Sequence, residues 1–179
     1  MPAIVVRPMR AGDVPVACTI LNEIISTGGT TAFEENVSEA DFSPMYLHGP
    51  DFIACHVALD AEGKVAGFQW IGRNPTLPDD CADIATFTRR TFPLRGAGRA
   101  LFPATQGVAL AEGYAQINAT IRADNFPGLG YYAKMGFIDQ GVTPDVPLRD
   151  GTPVDRISKR FSLIGAARNP TRSFRDHLA

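Results

Sequence analysis

The stretch LRGAGR, residues 94–99, lies between a β-prone run that ends near Thr88 and an apolar run that predicts a helix over residues 98–113. The first backbone N–H groups of such a helix have no partner within it, and they lie at the positive end of the helix dipole. Glycine at Gly96 and Gly98 lets the backbone approach a ligand closely. The stretch therefore predicts a cradle for an anion such as a pyrophosphate.

The same stretch, taken alone, leaves other interpretations open. Arg95 and Arg99 would either pair with an anion at this point or be ordinary solvated arginines. The third glycine of a dinucleotide-binding GxGxxG loop is missing, and so is the Lys-Ser/Thr of a P-loop. A tight turn without a ligand is the remaining alternative.

Patterns on both sides of this stretch predict the fold class. The predicted strands are 4–7, 52–59, 64–71, 84–88, 116–121, a segment from Phe137, and 154–163; the predicted helices are 14–25, a short one from Ser38, 98–113 and 127–135. The loop 60–63 and the turn 149–151 are hairpin signals. The order β-α-α-β-β-β-α-β-α-β-β predicts an α/β (α+β) domain whose central sheet is mixed and mostly antiparallel, with helices on its faces.

Start and stop signals support the first two helices. Asp13 precedes the first helix and is the expected N-cap, while Gly28 and Gly29 follow the helix and are expected to end it. Ser38 with Asp41 three residues later resembles a capping box at the start of the second helix.

Composition predicts a single domain and argues against several classes of partner. The chain has 179 residues, of which 45% are hydrophobic and 20% charged, so we expect one domain over residues 1–165 followed by a polar tail over 166–179. A net charge of -2 gives no electrostatic case for binding nucleic acid or an anionic membrane. The cysteines Cys18, Cys55 and Cys81 have no metal-ligand spacing.

The expected location is the reducing cytoplasm, with the three thiols free and no metal bound. No apolar run is long enough to span a membrane, and the first ten residues lack the apolar core of a signal peptide. The expected partners are therefore small molecules or a local protein surface, and a homodimer stays open.

A second stretch, NFPGLGYYAKMGF at residues 125–137, resembles the pattern N-x-x-A/S-x-x-x-Y-x-K-x-G-F of the GNAT superfamily of N-acetyltransferases. The matching positions are Asn125, Tyr132, Lys134, Gly136 and Phe137. Residues 96–102, GAGRALF, resemble the helix start G-x-G-x-A-L-L of the same superfamily, and the distance between the two stretches is the usual one. The resemblance implies a GNAT-like fold and acetyl-CoA (coenzyme A) as the cofactor.

The resemblance extends toward the start of the chain and has two departures. Residues 4–34 are similar to the phosphinothricin and methionine sulfoximine acetyltransferase subgroup. Pro93 stands where the superfamily usually has Gln or Arg, unless the glycine motif is shifted to run from Arg95 to Ala100. Residues 139–159 do not resemble the ending of the subgroup, which leaves the acceptor amine open.

What the resemblance implies for the cofactor is specific by residue. The backbone of Thr86, Phe87 and Thr88 would lie along the pantetheine arm, and Asn125 would contact the cofactor near its thioester. The pyrophosphate would lie on Leu94, Arg95, Gly96, Ala97, Gly98 and Arg99. Phe87 is equally explained as core, and Asn125 as a helix N-cap.

The same resemblance suggests the catalytic and acceptor residues. Tyr132 occupies the position whose phenol can protonate the departing coenzyme A sulfur. Glu34 and Asp83 are the candidate general bases, and deprotonation through water is the alternative. The candidate residues of the acceptor pocket are Phe33, Gln69, Trp70 and Arg73. An arginine can bind the carboxylate of an amino acid, whereas Phe33 and Trp70 are also explained as core.

Three functions remain at this point. The first is acetyl transfer from acetyl-CoA to the primary amine of a small molecule, such as an amino acid or an analogue. The second is acetylation of a protein or peptide, which needs an open groove. The third is an acyl-CoA-binding module without catalysis, against which Tyr132 argues.

Overall fold

The computed structural model describes residues 4–166, and a central sheet organises them. Its strands are β1 Val5–Pro8, β2 Phe52–Leu59, β3 Val65–Gly72, β4 Cys81–Thr88, β5 Gln116–Arg122, β6 Ile138–Pro147 and β7 Pro153–Ser162. The helices are α1 Val14–Thr27, α2 Glu39–Tyr46, α3 Ala97–Ala111, α4 Phe126–Lys134 and the short α5 Leu163–Ala166. The predicted order of elements is confirmed, with α5 added after the last strand. Most of the predicted tail lies outside the described residues.

The sheet order within the described residues is β1-β2-β3-β4-β5-β7-β6. Every neighbouring pair is antiparallel except β4 and β5, which are parallel because the connection containing α3 crosses over between them. The predicted mixed and mostly antiparallel sheet is therefore confirmed. No helix within residues 4–166 is long and apolar enough to cross a membrane.

The two faces of the sheet carry different helices, because successive residues of a strand point to opposite faces. Phe68 of β3 packs with Phe42 and Tyr46 of α2, in a cluster that also contains the apolar face of α1. Ile71 of the same strand packs instead with Phe102 of α3. The central strands are therefore covered on both faces.

The predicted caps of the first two helices are realised in part. Asp13 occupies the N-cap position of α1, but its carboxylate accepts hydrogen bonds from the Arg7 guanidinium at 2.7 and 2.8 Å, which lowers its pKa. Gly28, at φ +74°, ends α1 as expected. Ser38 caps α2 by accepting from the Asp41 amide at 3.1 Å. The Asp41 carboxylate, however, accepts from the Ser38 hydroxyl, so the capping box is incomplete.

Candidate active site

The parallel strands β4 and β5 pair near their starts and then diverge. Their paired residues are Cys81 with Gln116, Ala82 with Ile117 and Asp83 with Asn118. Among the described residues this pairing ends there, while β5 stays paired with β7 as far as Arg122. The segment 84–88 therefore presents one edge of backbone N–H and C=O groups to a wedge-shaped gap. Such an edge can pair with an extended ligand as an added strand would.

A cavity of about 1470 Å³ fills this gap. Residues 84–88 line one wall, residues 120–122 line the other, and the start of α3 closes one end. We call the part formed by residues 84–88 and 96–99 the donor end, and the part formed by residues 30–33 with Trp70, Arg73, Asp83, Arg122 and Arg156 the acceptor end, after the roles that the resemblance implies for residues in each part. Pockets for drug-sized ligands have volumes of roughly 300–1,000 Å³, so this larger cavity has room for a large ligand and a second, smaller one.

The donor end contains the glycine stretch for which the sequence predicts an anion cradle. Gly96 is the N-cap of α3 at φ +87°, a conformation that favours glycine. The amide of Ala97 donates to the Leu94 carbonyl at 3.2 Å, and that of Ala100 to the Gly96 carbonyl at 2.8 Å. Among the described residues, the first-turn amides of Gly98 and Arg99 have no backbone partner. Two N–H groups at the positive end of α3 are thus available to an anion.

The structure gives a reason for glycine at position 98 that differs from the one the sequence suggested. A Cβ at this position would lie 2.9 Å from Cε2 of Tyr131 and 3.3 Å from its hydroxyl oxygen. The Tyr131 hydroxyl donates to the Gly98 carbonyl at 2.8 Å. The missing side chain therefore makes room for the Tyr131 ring, which itself lines the cavity.

The charge of the lining suits an anionic ligand. Among the described residues that line the cavity, seven are cationic and two are carboxylates; they are Arg73, Arg89, Arg90, Arg99, Arg122, Lys134 and Arg156 against Asp51 and Asp83. Arg99 lines the cavity, whereas Arg95 is exposed and does not. The structure thus separates the two arginines that flank the glycines.

Tyr132 of α4 lines the cavity beside β4. Its side chain is 7% exposed, and its hydroxyl oxygen is 3.0 Å from Oγ1 of Thr86 on β4. Burial raises the pKa of the Tyr132 phenol well above its usual range. The phenol is therefore protonated at physiological pH and able to donate a hydrogen bond.

Phe87 and Asn125 each have the structural role that the sequence suggested as an alternative to cofactor binding: Phe87 as core and Asn125 as a helix N-cap. The Phe87 ring is 8% exposed and packs on Phe68, with ring centroids 4.9 Å apart, so it belongs to the core. Asn125 caps α4, which begins at Phe126, by accepting from the Gly128 amide at 3.0 Å. Both residues still contribute to the cavity wall.

Asn125 and Arg122 also tie the acceptor end together. The Asn125 amide donates to the Thr30 carbonyl at 2.8 Å, and the Arg122 guanidinium lies 3.4 Å from the Thr31 carbonyl. Arg122 is itself held by Asp124 at 2.6 and 2.9 Å. Sequence reasoning singled out neither Arg122 nor Tyr131. The Arg-x-Asp spacing and the tyrosine beside Tyr132 were the available signals.

Of the predicted acceptor residues, Phe33, Trp70 and Arg73 line the cavity and Gln69 does not. Phe33 and Trp70 are also partly buried against the core, so the two interpretations of these rings coexist. Gln69 is fully buried and its amide oxygen accepts from Thr105 of α3 at 2.5 Å. Gln69 and Trp70 are consecutive strand residues and therefore point to opposite faces of the sheet.

The two candidate bases lie in different places. Asp83 lines the cavity at the point where β4 and β5 part, and its carboxylate accepts from the side-chain amides of Asn74 at 3.0 Å and Asn118 at 2.8 Å. Glu34 lines a separate depression of about 530 Å³ and accepts from the backbone amide of Arg149 at 2.9 Å. The structure therefore places Asp83, and not Glu34, in the cavity that Tyr132 also lines.

A family model identifies the family to which the chain belongs. The model of the Acetyltransferase (GNAT) family matches residues 20–137, more than half of the chain. The protein belongs to the GNAT acetyltransferase family, and the predicted family membership is confirmed.

Individual relatives give the degree of similarity. A mycothiol acetyltransferase of Clavibacter sepedonicus is 30% identical over 112 residues, which are 61% of this chain and 32% of the relative. The chain thus spans about a third of the length of the curated relatives that it matches.

Solved structures show the same fold. A phosphinothricin acetyltransferase from Sinorhizobium meliloti, solved in complex with AcCoA, has a TM-score of 0.78 at 24% identity, over 94% of both chains. A GCN5-related N-acetyltransferase from Kribbella flavida has a TM-score of 0.77 at 22% identity, over 89% of this chain and 98% of that one.

Proposed function

We propose that this protein is an acetyl-CoA-dependent N-acetyltransferase that acts on the primary amine of a small molecule, such as an amino acid or an analogue. The observation that carries the proposal is the gap between β4 and β5, which opens onto the start of α3 and has the Tyr132 phenol in its wall. Membership of the GNAT family and the names of its relatives support it.

The donor end fits acetyl-CoA in shape and charge. The free backbone edge at residues 84–88 would pair with the amides of the pantetheine arm. The amides of Gly98 and Arg99 would hold the pyrophosphate, and the Arg99 side chain would add charge. When bound, acetyl-CoA supplies an acetyl group as a thioester that an amine can attack.

The transfer requires two proton movements besides the exchange of bonds. A carbon–nitrogen bond forms as the carbon–sulfur bond breaks; the amine nitrogen loses one proton and the sulfur gains one. Asp83 is the candidate acceptor of the first proton, directly or through water. Tyr132 is the candidate donor of the second, because its protonated phenol lines the cavity.

Several cations at the acceptor end support an acceptor that carries a carboxylate. Arg122 and Arg156 are directly opposite one another on β5 and β7, and both line the cavity with Arg73. Asp124 pairs with Arg122 and offsets one of these three positive charges, so positive charge remains in excess at this end. The ties from Asn125 and Arg122 hold the loop 30–33 across this end, which favours a small molecule over a peptide in an open groove.

We infer that the protein works in the reducing cytoplasm. Cys18, Cys55 and Cys81 are all buried and unpaired among the described residues. Desolvation raises the pKa of each thiol, which keeps the thiols protonated and unreactive.

A titration and an amine panel test the proposal. Isothermal titration should show binding of acetyl-CoA, and no binding at high micromolar concentration would contradict it. A panel of amino acids, analogues and peptides, scored by release of free thiol, then separates the acceptor classes. Binding without thiol release from any amine would identify a non-catalytic acyl-CoA-binding module instead.

Replacing Tyr132 tests its assigned role. Tyr132→Phe removes the hydroxyl and keeps the ring, so we expect kcat to fall about 100-fold, as for loss of a general acid. The Kd for acetyl-CoA should stay within about threefold, because the cradle is untouched. Turnover equal to that of the unmodified protein would remove Tyr132 from the mechanism.

A further inference from the structure

A chain of hydrogen bonds joins the start of α3 to the Tyr132 hydroxyl. Its members come from four elements and are Gly98 and Thr105 of α3, Gln69 of β3, Thr86 of β4, and Tyr131 and Tyr132 of α4. Gln69 lies at the centre, is fully buried and has no contact with the cavity. A buried amide that bonds to three side chains has a fixed orientation.

The direction of this chain follows from its first member. The Gly98 carbonyl can only accept, so the Tyr131 hydroxyl donates to it at 2.8 Å. The Tyr131 oxygen then receives a hydrogen from Nε2 of Gln69, at 3.1 Å. This places the amide nitrogen of Gln69 toward α4 and its oxygen toward Thr105, whose hydroxyl donates to it at 2.5 Å.

The second hydrogen on Nε2 of Gln69 fixes the next step. It is donated to Oγ1 of Thr86 at 2.9 Å, so the Thr86 oxygen is an acceptor in that bond. The Thr86 hydroxyl has one hydrogen of its own. Among the described residues, the remaining side-chain oxygen to which it is hydrogen-bonded is that of Tyr132, at 3.0 Å. The Tyr131 oxygen also lies close to Thr86, but it accepts from Gln69 instead. Thr86 therefore donates to Tyr132, and the Tyr132 proton is left without an acceptor among the described residues. Because Tyr132 lines the cavity, this proton is free for a ligand there.

We propose that Gln69 is a positioning residue for proton donation by Tyr132. By donating to Thr86, Gln69 sets the direction of the Thr86–Tyr132 hydrogen bond and leaves the Tyr132 proton facing the cavity. This inference rests on the proposed function, in which that proton goes to the departing sulfur. If Gln69 presented its carbonyl instead, Thr86 would donate to Gln69, and Tyr132 would donate to Thr86 rather than into the cavity.

A double-mutant cycle tests whether Gln69 acts through Tyr132. Gln69→Met keeps the length of the side chain and removes its hydrogen bonds, so kcat should fall about tenfold. In the Tyr132→Phe background the same change should alter kcat by less than about twofold, because the positioned group is already absent. A full tenfold loss in that background would overturn the inference.

A second donor separates positioning from a general structural defect. An acetyl thioester of an aryl thiol releases a more acidic thiol, which needs less protonation as it leaves. With this donor, Gln69→Met should approach the rate of the unmodified protein. Ile71→Val is the matched control: Ile71 is on the same face of β3, fully buried and outside the site. It should behave alike with both donors, and a loss in Gln69→Met that is equal for both would overturn the positioning role.

A measurement on the free protein needs no turnover. The ¹³Cζ resonance of Tyr132, assigned by its loss in Tyr132→Phe, reports whether the phenol accepts or donates a hydrogen bond. It should shift in Gln69→Met and in Thr86→Val, and stay in place in Ile71→Val and Thr86→Ser. An unchanged resonance in Gln69→Met overturns the inference whatever the activity. Absence of acetyl transfer by the unmodified protein overturns the proposed function whatever the resonance.

Two variants of Thr86 provide the same test if Gln69→Met does not fold. If thermal unfolding shows that Gln69→Met does not fold, Thr86→Val removes the same link while keeping the shape of the side chain. We then expect Thr86→Val to have a kcat about tenfold below that of Thr86→Ser, which keeps the hydroxyl. No difference between the two would overturn the inference.

Discussion

The donor end and the acceptor end of the cavity are built from different materials. The donor end consists largely of backbone: a strand edge at residues 84–88 and two amides at the start of α3. The acceptor end consists of side chains from a loop and from strands β3, β4, β5 and β7. In the proposed function the donor is always acetyl-CoA, and a backbone site suits a ligand that does not change. The acceptor would be recognised by side chains, so substitutions there can change which amine binds.

Because of this difference, we expect substitutions at the two ends to reduce ligand binding to different extents. The donor end depends on a few backbone positions, so one bulky side chain can block it completely. The acceptor end spreads recognition over several groups, so each substitution should remove only part of it. The predictions below test that contrast.

The largest effect is expected from Gly98→Trp. The new side chain collides with the Tyr131 ring and covers the amides of Gly98 and Arg99. Two hydrogen bonds to a charged group at about 2 kcal/mol each amount to about 4 kcal/mol, or roughly 1,000-fold in the Kd for acetyl-CoA. Isothermal titration measures the change.

The matched control for this substitution lies on the same helix. Gly107→Trp places the same side chain on an exposed face of α3, where a Cβ meets nothing within 4 Å. It should leave acetyl-CoA affinity unchanged. Equal losses in the two variants, or retained affinity in a folded Gly98→Trp protein, would contradict the cradle.

Asp83→Asn should have the next largest effect, on the acceptor side. Loss of the candidate base should lower kcat/KM for the amine about 100-fold, with acetyl-CoA affinity retained. The deficit should shrink as the pH rises, because more of the amine is then neutral without a base. Glu34→Gln is the companion variant, and a larger loss in it than in Asp83→Asn would assign the role to Glu34.

Asn125 connects the acceptor end to the start of α4, and its variants separate its two bonds. Asn125→Ala loses both the cap of α4 and the tie to Thr30, so the free energy of unfolding should fall by about 1–2 kcal/mol. Asn125→Asp keeps the capping oxygen and loses the donor to Thr30. It should therefore be more stable than Asn125→Ala in urea unfolding while still raising the KM for the amine. Equal stability of the two variants would show that the cap contributes little.

Much of the fold follows from local patterns, because the signals are short and close together. The order of elements, the hairpins and the anion cradle at Gly96 were all predicted in this way. The boundary of β4 was not, since the strand begins at Cys81, three residues before the predicted start, where it pairs with β5. That pairing joins residues far apart in the chain.

The site was predicted less completely, because several of its contacts join residues that are far apart in the chain. The opposite orientations of Gln69 and Trp70 follow from strand alternation and were available from the sequence. The position of Glu34 was not, because its loop is held by Arg149, 115 residues away. The room that Gly98 leaves for Tyr131 likewise depends on a contact between two helices.

The smallest effects should come from Arg95 and Arg99, which share a residue type and flank the same glycines. Both are exposed, but Arg99 lines the cavity and Arg95 does not. An exposed charge pair contributes roughly 0.2–1 kcal/mol, so Arg99→Ala should weaken acetyl-CoA binding about threefold and Arg95→Ala by much less. The difference should shrink as salt is added, because salt screens exposed charges. Equal effects of the two variants would mean that the side chains act through the general field of the cavity, and that the backbone of the cradle alone gives the donor end its specificity.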